Sequence, residues 1–193
     1  MRDLPRIVLI CCEGKTEVQY FRFLSKIYRI SQAKVHIVGS LGQHHALIDA
    51  AVQRRQSLVD ELGIEESQIA SWAVCDEDTM TCSYSNLKQY ADEKKINLAF
   101  SSPQFESFLL QHFEPSGDQK QSVIVQKMDE YSKQYCGQTR FEKGNISWIA
   151  DAIDNKPKLV EVAITNSIQR NKASKRPFLT VHHLAEYLRS LRV

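Results

Sequence analysis

Four carboxylates in two short motifs carry the chemistry that this sequence offers. In "ICCEGKTEVQYF", Glu13 and Glu17 stand four residues apart around Gly14-Lys15-Thr16. In "VCDEDTM", Asp76 and Asp78 flank Glu77. The first stretch invites comparison with the tail of a phosphate-binding loop, GxxxxGK[ST]. The first glycine of that pattern would fall at position 9, which is Leu9, and the charge of Glu13 would repel a phosphate cradled there. A divalent cation fits better. Asp76 and Asp78 point the same way if the chain stays extended, and beside Glu13 and Glu17 they would repel strongly without one. Mg²⁺ or Mn²⁺ takes oxygen ligands of this kind and keeps positions for water and phosphate oxygens. Each motif also has a plainer reading. Glu17 could complement a helix dipole, and an acidic triplet could be a solvated turn.

The elements that must position these groups are legible. Arg6 to Cys12 is an unbroken apolar, β-branched run, the mark of a buried parallel strand. Glu13 then sits at its carboxyl end, where open parallel sheets place their sites. Gly14 permits a sharp turn, and Thr16 and Gln19 spell a T-x-x-Q capping box that starts a helix. Residues 17–30 show helical spacing, with Val18, Phe21, Leu24 and Tyr28 on one face. Further strands are read at Lys34–Val38, Ile69–Cys75 and Ile96–Phe100, with helices at Gln43–Leu62 and Ser83–Lys95. The order βαβαβαβ predicts a four-stranded parallel sheet with right-handed crossovers. The remainder reads as helical over roughly 105–113, 121–135, 145–153, 157–171 and 179–191. We therefore expect an α/β catalytic core over 1–115 and a helical extension over 116–193 packed on it as one compact domain.

At 193 residues and 42% hydrophobic composition the chain can build a substantial core. Five cysteines without a CxxC pair suggest neither a disulfide framework nor a zinc knuckle, and Cys11, Cys12 and Cys75 lie in apolar runs. The apolar stretch near the start is far too short to cross a membrane, and no signal peptide is read, so the expectation is a soluble cytoplasmic protein. Charge is uneven. Residues 1–115 carry 12 Lys+Arg against 15 Asp+Glu, and residues 116–193 carry 13 against 8. That suits a polyanion held by the second part and worked on by carboxylates in the first, although chance variation gives the same count. The densest basic cluster is Arg170, Lys172, Lys175 and Arg176, either a phosphate-backbone grip or a solvated helix end; Arg54 and Arg55 are the fallback grip. The tandem pairs His44-His45 and His182-His183 diverge by about 100° on a helix and make poor chelators. His112 reads as a satisfied core residue.

These motifs resemble a known fold. A Glu-Gly turn after the first strand and a DxD after the third are similar to the Toprim fold of topoisomerases, primases and OLD-family nucleases. The likeness is narrower with the RloB-like family of small bacterial Toprim proteins, through "CEGKTEVQYF", "CDED", "SSPQFESFLLQHF" and "RPFLTVHHLAEYL", which together span nearly the whole chain. The resemblance implies a Mg²⁺- or Mn²⁺-dependent nucleic-acid phosphodiesterase, an endonuclease acting on RNA, tRNA or DNA, in an anti-phage, abortive-infection system. In that reading Asp76, Asp78 and Glu17 bind metal. Glu13 is the general acid/base or a further ligand, and Lys15 steadies charge on the scissile phosphate. Glu106, in the first turn of an apolar helix, is either a dipole-complementing residue or a second-metal ligand. Lys15 has a plain reading as a solvated lysine. The chain has no ATPase motif, so a separate ATPase or sensor subunit is an expected partner; a homodimer is compatible with the sequence. The alternative is a catalytically silent or regulatory Toprim module that binds nucleic acid or a partner protein in a defence complex.

Overall fold

The computed structural model describes residues 7–117, 120–137, 140–173 and 178–192. Lys175 and Arg176 lie outside them. The elements run β1 (Ile7–Cys12), α1 (Lys15–Ile27), β2 (Val35–Val38), α2 (His44–Leu62), β3 (Ile69–Asp76), α3 (Tyr84–Glu93), β4 (Asn97–Ser102) and α4 (Phe105–Leu110). After them come α5 (Gln121–Cys136), α6 (Ser147–Asn155), α7 (Leu159–Lys172), β5 (Phe178–Leu179) and α8 (Val181–Ser190). The sheet has five strands in the order β2-β1-β3-β4-β5. β1 pairs in parallel with β2 and β3, and β4 pairs antiparallel with β5. The four-stranded, all-parallel expectation is thus corrected: a fifth strand, two residues long and antiparallel, runs over Phe178–Leu179, and its second residue falls in the span read as a last helix from 179.

By packing, the described residues form two compact units, one of residues 7–75, 79–98 and 192, the other of those within 76–78 and 99–191. In the first, β1 has a parallel neighbour on each edge and all six of its residues are buried, as in a parallel sheet covered on both faces. Leu9 and Ile10 are 0% exposed. Each such side chain contributes about 1.5–3 kcal/mol of burial. The apolar faces of α1 (Phe21, Leu24) and α2 (Leu47, Ile48, Ala51, Leu58) complete this core. Cys11 and Cys12 pack there as small hydrophobes, and burial pushes the Cys11 thiol up to about 12.

The second unit is built on α4 and the helices after it, with Phe105, Phe108, Met128, Ile149, Ile153 and Leu184 buried. Phe113 stacks between Tyr131 (4.6 Å) and Trp148 (5.6 Å between ring centroids). His112 is wholly buried with Nδ1 3.0 Å from Leu109 O, and desolvation lowers it to about 4, so it is a neutral core histidine as expected. β5 is held from α7: Asn171 donates to Leu179 O (2.8 Å) and accepts from Leu179 N–H (3.0 Å). Its amide stands in for a further peptide group. No sequence pattern announces a strand that short, because a helix side chain completes it.

Arg55, a fallback phosphate grip by sequence, is committed elsewhere. It is 7% exposed, donates to Lys94 O and Lys95 O (3.0 Å each) at the end of α3, and pairs with Glu66 at 3.2 Å. Charge-assisted bonds of this kind are worth about 1.5–3 kcal/mol each, and losing the donor strands the acceptors. Arg55→Leu should therefore cost about 2–4 kcal/mol, read as a lower urea midpoint with unchanged slope. A loss below about 0.5 kcal/mol would mean that these carbonyls are satisfied by water.

Candidate metal and phosphate site

The first unit contributes the turn after β1. The strand stays paired to its end, with Glu13 N–H donating to Val74 O at 3.3 Å. Gly14 is the N-cap of α1, at φ −123° and ψ 179°, and as a glycine it brings no capping side chain of its own. Helix α1 is already under way at Lys15, so Thr16 lies inside it, buried, and the expected capping box does not form. What the glycine leaves open is room for the Glu17 carboxylate, which would have to shift if a Cβ were added. A Cβ on Gly14 would lie 2.7 Å from Glu17 Oε2. The Glu17 carboxylate, 6% exposed, folds back over the glycine in the first turn, where the helix dipole favours it. Burial and then the nearby Glu17 charge push the Cys12 thiol well up. Lys15 is exposed. Glu13, half-buried, accepts the N–H of His44 on Oε1 (3.0 Å). His44 opens α2, whose own N-cap residue Gln43 makes no side-chain cap bond. Glu13 is thus the acidic group that meets that helix start.

The second unit gathers Asp76, Asp78 and Glu106. β3 stops at Asp76 and the chain turns, so the extended alternation expected to carry both aspartates does not continue. Asp76 Oδ1 instead accepts the N–H of Asp78 at 3.0 Å, which leaves the Asp78 side chain exposed beside it. Asp76 also accepts from the Phe105 N–H at the start of α4. Glu106 is 3% exposed and accepts its own amide N–H. Glu77 turns away, with Oε2 accepting the Ser102 hydroxyl at 2.5 Å and its N–H donating to Ser101 O at 2.9 Å. Burial is the main cause that raises both Asp76 and Glu106 above the ordinary carboxylate range, and the Asp76 charge raises Glu106 further.

Lys143 opposes this. Its Nζ lies 3.8 Å from Glu106 Oε1, and its charge lowers both carboxyls. Sequence reading missed it, because it comes from a short bridge (Glu142 to Asn145) far along the chain. The donors fit a hard divalent cation: they are carboxylate oxygens, two of them held by burial in a state that disfavours their own charge. A carboxylate offers about four acceptor positions, so one or two N–H bonds leave room for coordination.

The basic cluster is described in part. Arg170 donates to Pro115 O at 2.5 Å, and Lys172 is exposed in the last turn of α7. The histidine expectation needs correction. His182 turns Nδ1 onto Leu179 O at 2.7 Å, which brings its ring within 4.0 Å of His183, and Glu186 Oε2 lies 3.8 Å from His183 Nδ1. Among the described residues this is the group of three whose ligand atoms come within 4.8 Å of one another. The acidic set is more open.

The raised carboxyls give a signed expectation. A folded-state pKa above the unfolded one means that the native protein holds the proton more tightly. The stability this supplies is full below the ordinary carboxylate range and is lost as pH rises through the raised values. Glu106→Gln removes one such group. Without metal, the variant should lose less stability between about pH 4 and pH 7 than the parent does, read from urea midpoints across that range. A steeper loss would show that Lys143 more than offsets the burial of Glu106.

No curated protein and no solved structure matches the chain. The RloB-like protein family model matches residues 8–188, which takes in every described carboxylate discussed above. The chain is a member of the RloB-like protein family.

Proposed function

We propose that this RloB-like chain is a metal-dependent nucleic-acid phosphodiesterase with a Toprim-like core, cutting RNA, tRNA or DNA internally as part of an anti-phage defence system. The observation that carries the reading is the acidic pair Asp76 and Glu106, desolvated and raised, with Asp78 beside them. Keeping like charges together and partly out of water is costly unless a cation is bound for part of the working cycle. Asp76, Asp78 and Glu106 are assigned to Mg²⁺ or Mn²⁺, and Glu17 is carried as a further ligand. The ion, when bound, supplies Lewis-acid charge stabilisation and a more acidic water. Glu13 is assigned the proton transfer, its carboxylate oriented by the His44 N–H. Lys15 offers positive charge to the phosphate. A separate ATPase or sensor subunit is the expected partner. Among the described residues, no helix is long and apolar enough to cross a membrane.

One observation favours the second reading, a catalytically silent or regulatory module. Lys143 already balances part of the acidic charge without an ion. Two measurements separate the readings. In calorimetry with Mn²⁺, Asp76→Asn and Asp78→Asn should each lower affinity, Lys143→Gln should raise it by removing a competing cation, and His183→Ala should leave the acidic site's affinity unaltered. Unchanged binding in both aspartate variants would remove the site assignment. In cleavage assays, labelled tRNA, single-stranded RNA and DNA, and circular plasmid are incubated with Mg²⁺, Mn²⁺ or EDTA. We expect internal cuts that EDTA abolishes. Glu13→Gln can still accept the His44 N–H and should fold, yet its cleavage should fall by at least 10²-fold, the contribution typical of a positioned acid–base group. Wild-type cleavage by Glu13→Gln would reduce Glu13 to the acceptor that holds the start of α2.

A further inference from the structure

The exposed positions of α1 and the turn after it are Lys15, Gln19, Arg22, Lys26 and Arg29. Their spacing of four, three, four and three residues puts them on one face of a helix. Four of the five are cations. The helix's own acid, Glu17, is buried away from this face. Among the described residues, no ion pair engages any of these four cations. A solvated helix face ordinarily mixes signs, because i,i+4 pairs of opposite charge stabilise it and like pairs destabilise it. The helix dipole accounts for Lys26 in the last turn, and it works against Lys15 in the first.

The stripe borders two hollows within the first unit. One, of about 610 Å³, is lined by Arg22, Lys26 and Arg29 with Val35 and Ile37 of β2. The other, of about 330 Å³, is lined by Lys15, Gln19, Arg22 and Gly39. Arg22 belongs to both. Gly39 keeps the second hollow close to the helix, since a Cβ there would lie 2.6 Å from Val18 Cγ2.

We propose that this face of α1 is a phosphate-backbone binding surface, with Arg22, Lys26 and Arg29 contacting successive phosphates of a nucleic acid that leads toward Lys15; the choice of nucleic acid over other polyanions rests on the phosphodiesterase reading. From Lys15 to Arg29 the stripe spans about 20 Å at 1.5 Å per residue. A strand with one charge per about 3.4 Å of axis presents several phosphates over that length. A lipid surface fits less well. Among the described residues the exposed large hydrophobic ones are Leu62, Val123 and Val162, none of them on α1, so the face lacks the apolar wedge that an interfacial helix inserts.

The test measures binding in EDTA, so that cleavage plays no part. Labelled single-stranded RNA, single-stranded DNA, duplex DNA and poly-glutamate are titrated between 50 and 200 mM salt, as an order-of-magnitude window for counterion release. Replacing Arg22, Lys26 and Arg29 together with Gln should weaken binding to nucleic acid of every sequence. It should also flatten the slope of log affinity against log salt by about 2–2.7 units, at about 0.7–0.9 per contact. Over that window the wild type should thus lose about 20–40-fold more affinity than the variant. Lys26→Gln alone should flatten the slope by about one contact's worth, and the charge-retaining set Arg22→Lys, Lys26→Arg and Arg29→Lys should leave it nearly unchanged. Circular dichroism checks the fold of each. Three results overturn the proposal: an unchanged slope in the triple variant, no nucleic-acid binding by the wild type, or a slope change seen with poly-glutamate alone. Wild-type binding with the predicted slope change, but no metal-dependent cleavage of any substrate, would uphold the surface and defeat the phosphodiesterase reading.

Discussion

A carboxylate taken out of water has to be met by hydrogen-bond donors or by a cation, and this constraint shapes Glu13, Asp76 and Glu106 alike. Glu13 meets the first N–H of α2, Asp76 meets the N–H groups of Asp78 and Phe105, and Glu106 meets its own amide and Lys143. The helix starts involved have no side-chain cap from their own N-cap residue. The acids therefore serve the fold and the candidate chemistry at once. Backbone donors fix where each carboxylate points, and because a hydrogen bond consumes only part of a carboxylate's capacity, the same fixing leaves oxygen lone pairs for an ion. It also means that a substitution removing the charge alone is a cleaner probe than one removing the side chain.

Much of this was legible because it follows from periodicity. The continuous run of β1 could only be a strand buried on both faces, and it is. The apolar spacing of α1 gave its buried face, including Phe21 and Leu24. What escaped reading came from contacts distant in sequence or from side chains acting as backbone. β5 is two residues long and borrows its second edge from Asn171. Lys143 reaches Glu106 across 37 positions. Arg55 looked like a surface cation but lies buried over the end of α3.

Two local rules failed for identifiable reasons. The T-x-x-Q box at Thr16 was outcompeted because the strand hands the chain straight to Gly14, and the helix is under way before Thr16 can cap it. The rule that neighbouring histidines diverge holds for ideal rotamers in mid-helix. At the start of α8, the carbonyl of Leu179 draws the His182 ring round toward His183.

The Asn171 bracket on Leu179 has a consequence for the sheet as a whole. A strand at a sheet's margin exposes a ladder of donors and acceptors that another chain can zip onto. At β5 the outward N–H and C=O of Leu179 are already taken by a rigid amide on a helix. A side-chain amide thus closes that margin at Leu179. The remaining margin is β2, all four residues of which are partly exposed. Growth of the sheet by strand addition, whether by a partner's extended segment or by a second copy during misfolding, is thereby confined to one side.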